Sequence, residues 1–147
     1  MSADRGFSVK LVHWADAADQ LRAVRVEVFV REQGVPEDME WDGLDPLCHH
    51  ALATDARGIA IGTGRLLPDG HIGRMAVVNR WRRAGVGTAI LATLVETARA
   101  RGDPVAILHA QTHAAEFYRR AGFRISSDEF MEAGILHVEM RLSLGIS

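Results

Sequence analysis

A change of hydrophobic period near residue 85 constrains this chain more than any other feature. Residues 71–78 read as a strand, ending at Val78. From residue 86 to 100 the pattern is helical: Val86, Ile90, Leu94, Val95 and Ala98 share one face, with Leu91 at its flank. Between strand and helix lies Arg82-Arg83-Ala84-Gly85-Val86-Gly87-Thr88. The first N–H groups of a helix have no partner within it, so its start is a ready anion site. Gly85 and Gly87 remove side chains that would hold a phosphate off those donors. Arg82 and Arg83 add charge-assisted bonds to phosphate oxygens, and Thr88 adds a hydroxyl.

The flanking patterns define a mixed layer structure. Residues 7–14 alternate as a short strand, and Asp16 is the expected N-cap of a first helix that Gly34 ends. On that helix Leu21, Val24, Val28 and Phe29 face inward, and Arg22, Arg25 and Arg31 face out. Residues 36–46 follow neither period and form an acidic loop containing Trp41. Strands are expected at 50–54, 58–67 and 71–78, the last two joined by a Pro68-Asp69-Gly70 turn. Gly62 and Gly64 inside the second of these mark a bulge or the close approach of another segment. After the long helix come a strand at 105–110, a short helix at 114–121, a strand from Phe123 and a last strand at 135–142. The order β-α-β-β-β-α-β-α-β belongs to an α/β mixed-sheet domain, expected to span residues 1–147.

Composition removes several classes of function. With 17 basic and 19 acidic residues the net charge is -2, so no bulk electrostatic grip on nucleic acid or an anionic membrane is expected. No run approaches the ~20 apolar residues of a membrane span, and the first ten residues lack a signal-peptide core. The single cysteine, Cys48, precludes an internal disulfide and points to the cytoplasm. Cys48-His49-His50 lacks the paired spacing of a zinc site even with His109, His113 and His137 as partners, so no metal is expected.

The phosphate ligand narrows by elimination. A Walker A loop needs a lysine that this segment lacks, and the dinucleotide fingerprint needs a third glycine where Ile90 stands. The Arg-x-x-Gly-x-Gly segment, after the strand containing Arg74-Met75-Ala76-Val77, instead resembles motif A of the GNAT N-acetyltransferase superfamily, which wraps the pyrophosphate of acetyl-CoA. Gln111-Thr112-His113-Ala114-Ala115-Glu116-Phe117-Tyr118 followed by Ala121-Gly122-Phe123 is similar to the family's motif B, with Gln111 in place of the usual Asn. Val28-Phe29-Val30-Arg31-Glu32-Gln33-Gly34-Val35-Pro36, Arg74-Met75-Ala76-Val77 and Glu132-Ala133-Gly134-Ile135-Leu136-His137 resemble the ElaA-like and YjcF-like subgroup.

The resemblance implies a single GNAT-like domain whose mostly antiparallel sheet is flanked by helices and splays where acetyl-CoA enters. It places Met75, Ala76 and Val77 along the pantetheine, the 82–88 loop at the pyrophosphate, and Gln111, Phe117 and Tyr118 beside the coenzyme. Tyr118 is then the general acid for the departing thiolate. The strand before motif A carries no carboxylate base, so His137 and Glu132 are the substitutes. An amine acceptor arrives cationic, and the acidic loop is a candidate lure. Acetyl transfer to a primary amine of a small molecule or peptide is the expected function. The alternative is a catalytically silent CoA-binding sensor or interaction module of the same fold. A monomer or homodimer is expected, with Leu142 and Leu144 on a pairing edge strand.

Overall fold

The computed structural model describes residues 6–145. Strand β1 (Phe7–Val12) leads into α1 (Trp14–Arg25), which continues as a π-helix over Val26–Glu32. A single turn, α2 (Glu37–Glu40), and a 3-10 turn over Asp45–Leu47 precede β2 (His49–Asp55), β3 (Ala60–Leu66) and β4 (His71–Val77). Helix α3 (Val86–Arg101) joins β4 to β5 (Val105–Gln111). Helix α4 (Ala115–Arg120) then leads to β6 (Arg124–Ile125), β7 (Phe130–Glu132) and β8 (Ile135–Ser143).

Among the described residues the eight strands form one sheet in the order β1-β2-β3-β4-β5-β8-β6, with β7 also on β8. Every pairing is antiparallel except β4 with β5. A parallel pair requires a crossover, and α3 supplies it. Its inward face is the expected one: Val86, Ile90, Leu91, Leu94, Val95 and Ala98 are buried. Gly64 explains how the helix lies so close to the sheet. A Cβ there would sit 2.7 Å from Met75 Sδ and 2.9 Å from both Ile90 and Leu94, so only a glycine admits the contact. Close approach is therefore the reason for glycine at this position.

The parallel pair soon parts. Its ladder holds only His71 with Ile107 and Ile72 with Leu108. On the other side of β4, Gly73 pairs with Arg65 and Ala76 with Thr63, so β4 carries one residue more than β3 across that interval. Such a bulge bends the strand that carries it. Arg74, inside the bulge, is held at φ +50°, in the left-handed region. Strain of this kind costs of order 1–3 kcal/mol and persists only where the surroundings impose it.

Several local expectations are corrected. The first helix starts at Trp14 with His13 at its N-cap position, Asp16 lies in its first turn, and Ala17 kinks it at φ -136°. Arg25, expected to face out, is 1% exposed. The acidic stretch is ordered into α2 and the 3-10 turn because two of its acids, Glu40 and Asp45, are buried partners of that arginine. The strand from Phe123 shrinks to two residues, and β7 is additional. Strand β8 is no edge, since it pairs with β5, β6 and β7, and Leu144 is buried in this chain's own core.

Candidate active site

The parting of β4 from β5 opens a cleft of about 880 Å³. One wall comes from the end of the first helix, with Phe29, Glu32 and Gln33, and from Met39 to Leu44 beyond it. The other comes from β5, β7 and β8, with His109, Gln111, Glu132 and His137. Met75, Ala76 and Val77 of β4 lie between them, and Tyr118 of α4 lines the same space. Gln111 donates to Gln33 Oε1 at 3.0 Å, bridging the two walls.

Of the residues expected at the site, the cleft brings together Met75, Ala76, Val77, Arg82, Gln111, Tyr118, Glu132 and His137. Arg83, Ala84, Gly85, Val86, Gly87, Thr88 and Phe117 do not line it. They form a separate patch at the start of α3, beside the end of β4. A Cβ built on Gly87 would meet the Phe117 ring at 3.4 Å and Val77 Cγ2 at 3.8 Å. Val86 itself is buried and serves the core.

That helix start has the features of an anion site. Among the described residues no side chain caps it, and its first helical bond is from Ala89 N–H to the Gly85 carbonyl. The N–H groups before Ala89 therefore have no helical acceptor. Gly85 is at φ +88° and Arg83 at φ +66°, a backbone that turns successive amides toward one side. Arg82 is differently engaged. Its guanidinium donates to both Glu32 carboxylate oxygens at 2.5 and 2.7 Å, and Nε donates to the Val77 carbonyl at 2.9 Å. The Arg82 bond holds the Glu32 carboxyl below its usual range.

Tyr118 is almost fully buried between Phe117 and Phe123, with ring centroids 5.0 and 6.2 Å away. Burial alone pushes its pKa up to about 12. The hydroxyl therefore stays protonated throughout the neutral range, and it makes no hydrogen bond among the described residues. His137 is 6% exposed. Its Nδ1–H donates to the Ile135 carbonyl at 2.7 Å, an assignment that follows from the carbonyl being acceptor only. In the neutral ring Nε2 then carries the lone pair, and it lies 3.9 Å from Glu132 Oε2.

Three acids of the loop are already paired, while Glu37 and Asp38 are exposed. Arg25 donates to Glu40 at 2.8 Å and to Asp45 at 2.7 Å, both buried. Arg65 pairs with Asp42 and Asp45, and Arg74 reaches Glu40 at 3.0 Å and Asp42 at 3.4 Å. Three arginines thus neutralise Glu40, Asp42 and Asp45. The Arg65 bond holds the Asp42 carboxyl well below the usual range. Burial would push Asp45 up, but Arg25 and Arg65 together hold it down. This network ties the loop to the β4 bulge through Arg74. In the sequence Arg74 stands only as part of the 74–77 segment, because a positive φ at arginine leaves no compositional trace.

Cys48 is buried against the Leu44 carbonyl at 3.2 Å, and burial pushes its thiol up, so it is no nucleophile. His49 is exposed while His50 is buried and donates to the Asp45 carbonyl at 2.9 Å. Among the described residues no group of three or more His, Cys, Asp or Glu side chains is arranged to hold a metal. No helix among them is long and apolar enough to cross a membrane.

A mixed sheet whose one parallel pair splays beside a glycine-bearing helix start is the arrangement that the GNAT resemblance implies for a coenzyme-dependent acyltransferase. Comparison with known proteins makes this particular. Residues 17–144 match the family model for the acetyltransferase (GNAT) domain. The uncharacterized N-acetyltransferase YjcF of Bacillus subtilis is 40% identical over 121 residues, covering 80% of this chain and 86% of that one. The crystal structure of an acyl-CoA N-acyltransferase from Pseudomonas aeruginosa superposes with a TM-score of 0.83 at 31% identity, covering 93% of this chain and 99% of that one. Escherichia coli ElaA superposes with a TM-score of 0.83 at 26% identity, over 92% and 99% of the two chains. The chain belongs to the GNAT acetyltransferase family, on the side of the ElaA-like and YjcF-like proteins. Acyl transfer from an acyl-CoA to an acceptor is the family's chemistry.

Proposed function

We propose that this enzyme transfers acetyl from acetyl-CoA to a primary amine by direct attack on the thioester. The observation that carries the reading is the junction at the end of β4. There an uncapped helix start for a pyrophosphate adjoins a cleft that contains a buried, unbonded phenol and a histidine lone pair. In this reading the amides of residues 83–88 and the Arg83 guanidinium hold the pyrophosphate. The backbone of Met75, Ala76 and Val77 runs along the pantetheine, and an amide there faces the carbonyl oxygen as it becomes an oxyanion.

The acceptor ammonium gives one proton to His137 Nε2, beside Glu132. Its nitrogen then forms a bond to the carbonyl carbon, and holding both reactants in one cleft removes much of the entropic barrier. The C–S bond breaks as the tetrahedral intermediate collapses; the Tyr118 hydroxyl stabilises and protonates the departing sulfur, and it is reprotonated through solvent by the second proton that the attacking nitrogen gives up on becoming an amide. A phenol with its pKa raised to about 12 is a strong proton holder, so its first contribution is a hydrogen bond to the developing thiolate.

Thermal melting with acetyl-CoA, CoA, ATP and NAD tests the donor, because a ligand that binds only the folded chain raises its melting temperature. A rise with acetyl-CoA and CoA alone, abolished in Gly87→Glu, is the expected result. Amine-dependent thiol release then tests turnover. Binding without release from any amine would assign the chain to the silent-module alternative, and no shift at millimolar acetyl-CoA would remove the donor.

A further inference from the structure

The acceptor wall holds a second histidine that the chemistry above does not use. His109 lies on β5 two residues before Gln111 and therefore on the same face of the strand. Its Nδ1–H donates to Glu132 Oε1 at 2.8 Å, while the other carboxylate oxygen faces His137 Nε2 at 3.9 Å. One carboxylate thus spans two imidazoles.

Glu132 needs such a hold. Its side chain is 46% exposed, and it pairs with no arginine or lysine among the described residues. It sits on the three-residue strand β7, next to a turn in which Ala133 is at φ +53°. An unrestrained glutamate there would divide its time among several rotamers. His109 is itself fixed, edge-on to Phe130 at 5.1 Å and to His71 at 5.9 Å, and Phe130 stacks on His137 at 6.0 Å.

The neighbouring charges are committed elsewhere. Asp69 is 3.0 Å from His71 Nδ1. Glu139, opposite His109 across the β5–β8 ladder, accepts from Ser126 and Arg141. Glu40 and Asp42 are neutralised by arginines, and Glu32 by Arg82. His137 is nine-tenths buried, lines the cleft, and has no hydrogen-bond partner at Nε2 among the described residues.

We propose that His109 is a positioning residue, which fixes Glu132 so that its second oxygen stabilises the imidazolium formed when His137 takes the acceptor's proton. This rests on the acetyl-transfer reading for its purpose, but not for its geometry. The proton count is simple. The ammonium loses one proton to His137 Nε2, Nδ1 keeps the proton it shares with Ile135, Glu132 remains a carboxylate, and His109 remains neutral.

The test is ring-nitrogen NMR on the full chain labelled at histidine, reading the imidazolium-to-imidazole ratio of His137 at one pH near neutrality. His109→Leu and Glu132→Gln are each expected to lower that ratio about three- to tenfold, through loss of a facing carboxylate. His109→Asn, whose side-chain amide can replace the Nδ1–H donor, is expected to restore it to within about twofold. A role confined to packing would not be rescued by the donor. A ratio unchanged in His109→Leu but lowered in Glu132→Gln would overturn the proposal and leave the base assignment standing. No change in either would overturn the proposal and remove Glu132 as the partner of His137. The acetyl-CoA melting shift, measured beside these, fails separately if the donor reading is wrong.

Discussion

Arg82 and Glu32, fifty residues apart, meet through two hydrogen bonds of 2.5 and 2.7 Å, and Arg82 Nε completes the clamp on the Val77 carbonyl. The end of the first helix is thereby tied to the end of β4, one step from the expected pyrophosphate loop. Arg83, by contrast, is exposed and forms no ion pair among the described residues. Arg83→Ala is expected to weaken acetyl-CoA binding about tenfold or more at low salt, the weight of one charge-assisted hydrogen bond. Arg82→Ala is expected to weaken it less than about threefold, since that guanidinium already has its anion. Calorimetric titration of the two variants decides. A larger loss in Arg82→Ala would mean that Arg82 exchanges Glu32 for phosphate on binding.

Arg25 is the buried centre of the loop network. It bonds Glu40 and Asp45, and its guanidinium lies 5.0 Å from the Trp41 ring and 5.7 Å from Trp14. Arg25→Met leaves two buried carboxylates without that partner, and breaking such a network costs about 3–5 kcal/mol. Arg22, exposed on the neighbouring turn, lies over the same rings, Trp14 and Trp41, at 5.1 and 5.8 Å but holds no carboxylate among the described residues, so its replacement by Met is expected to cost only about 0.5–1 kcal/mol. Urea unfolding of both variants measures the difference, and equal midpoints would remove the network as a stabilising element.

Acid exposes the same arrangement. Asp42, Asp45 and Glu32 are all held below their usual values, Asp42 and Glu32 chiefly by arginine hydrogen bonds and Asp45 by arginines that overcome its burial. The unfolded chain therefore binds protons first as pH falls. Stability is fully present above about pH 4–5, the range of free carboxyls, and is lost as pH falls through the folded values. The melting temperature should decline steadily below that range, and Asp42→Asn should flatten the decline. An unchanged slope would show that Asp42 is not one of the groups responsible.

How much of this was legible in the sequence varies with the kind of interaction. The inward face of α3, the hairpin between β3 and β4 and the glycine-rich helix start follow from periodicity and turn chemistry, which act over a few residues. The family was legible because two motifs stand in order with the right elements between them. The fate of the acids was not. Glu40, Asp42 and Asp45 sit in a segment whose composition reads as a solvated loop, and their arginines lie 15 to 34 residues away. Only the fold brings Arg25 and Arg65 inside to meet them. The pairing of Glu132 with His109 is equally remote, because β7 is too short to leave a strand pattern.

Tyr118 offers the sharpest measurement, because it is the only tyrosine in the chain. Its phenolate absorption can be followed without a competing signal from another tyrosine. In the unfolded chain ionisation is expected near pH 10, the ordinary value, whereas burial pushes the folded value up to about 12. Between those values the unfolded state releases its proton first, so stability is fully present below pH ~10 and is lost as pH rises through the folded value. The difference of two units corresponds to roughly 3 kcal/mol. Tyr118→Phe should therefore lose less stability than the parent chain over that alkaline window. In the acetyl-transfer reading it should also lower turnover far more than acetyl-CoA affinity, because the hydroxyl acts on the departing sulfur and not on the bound coenzyme. A phenolate midpoint near 10 in the folded chain would place the hydroxyl in water and remove burial as the influence on its ionisation.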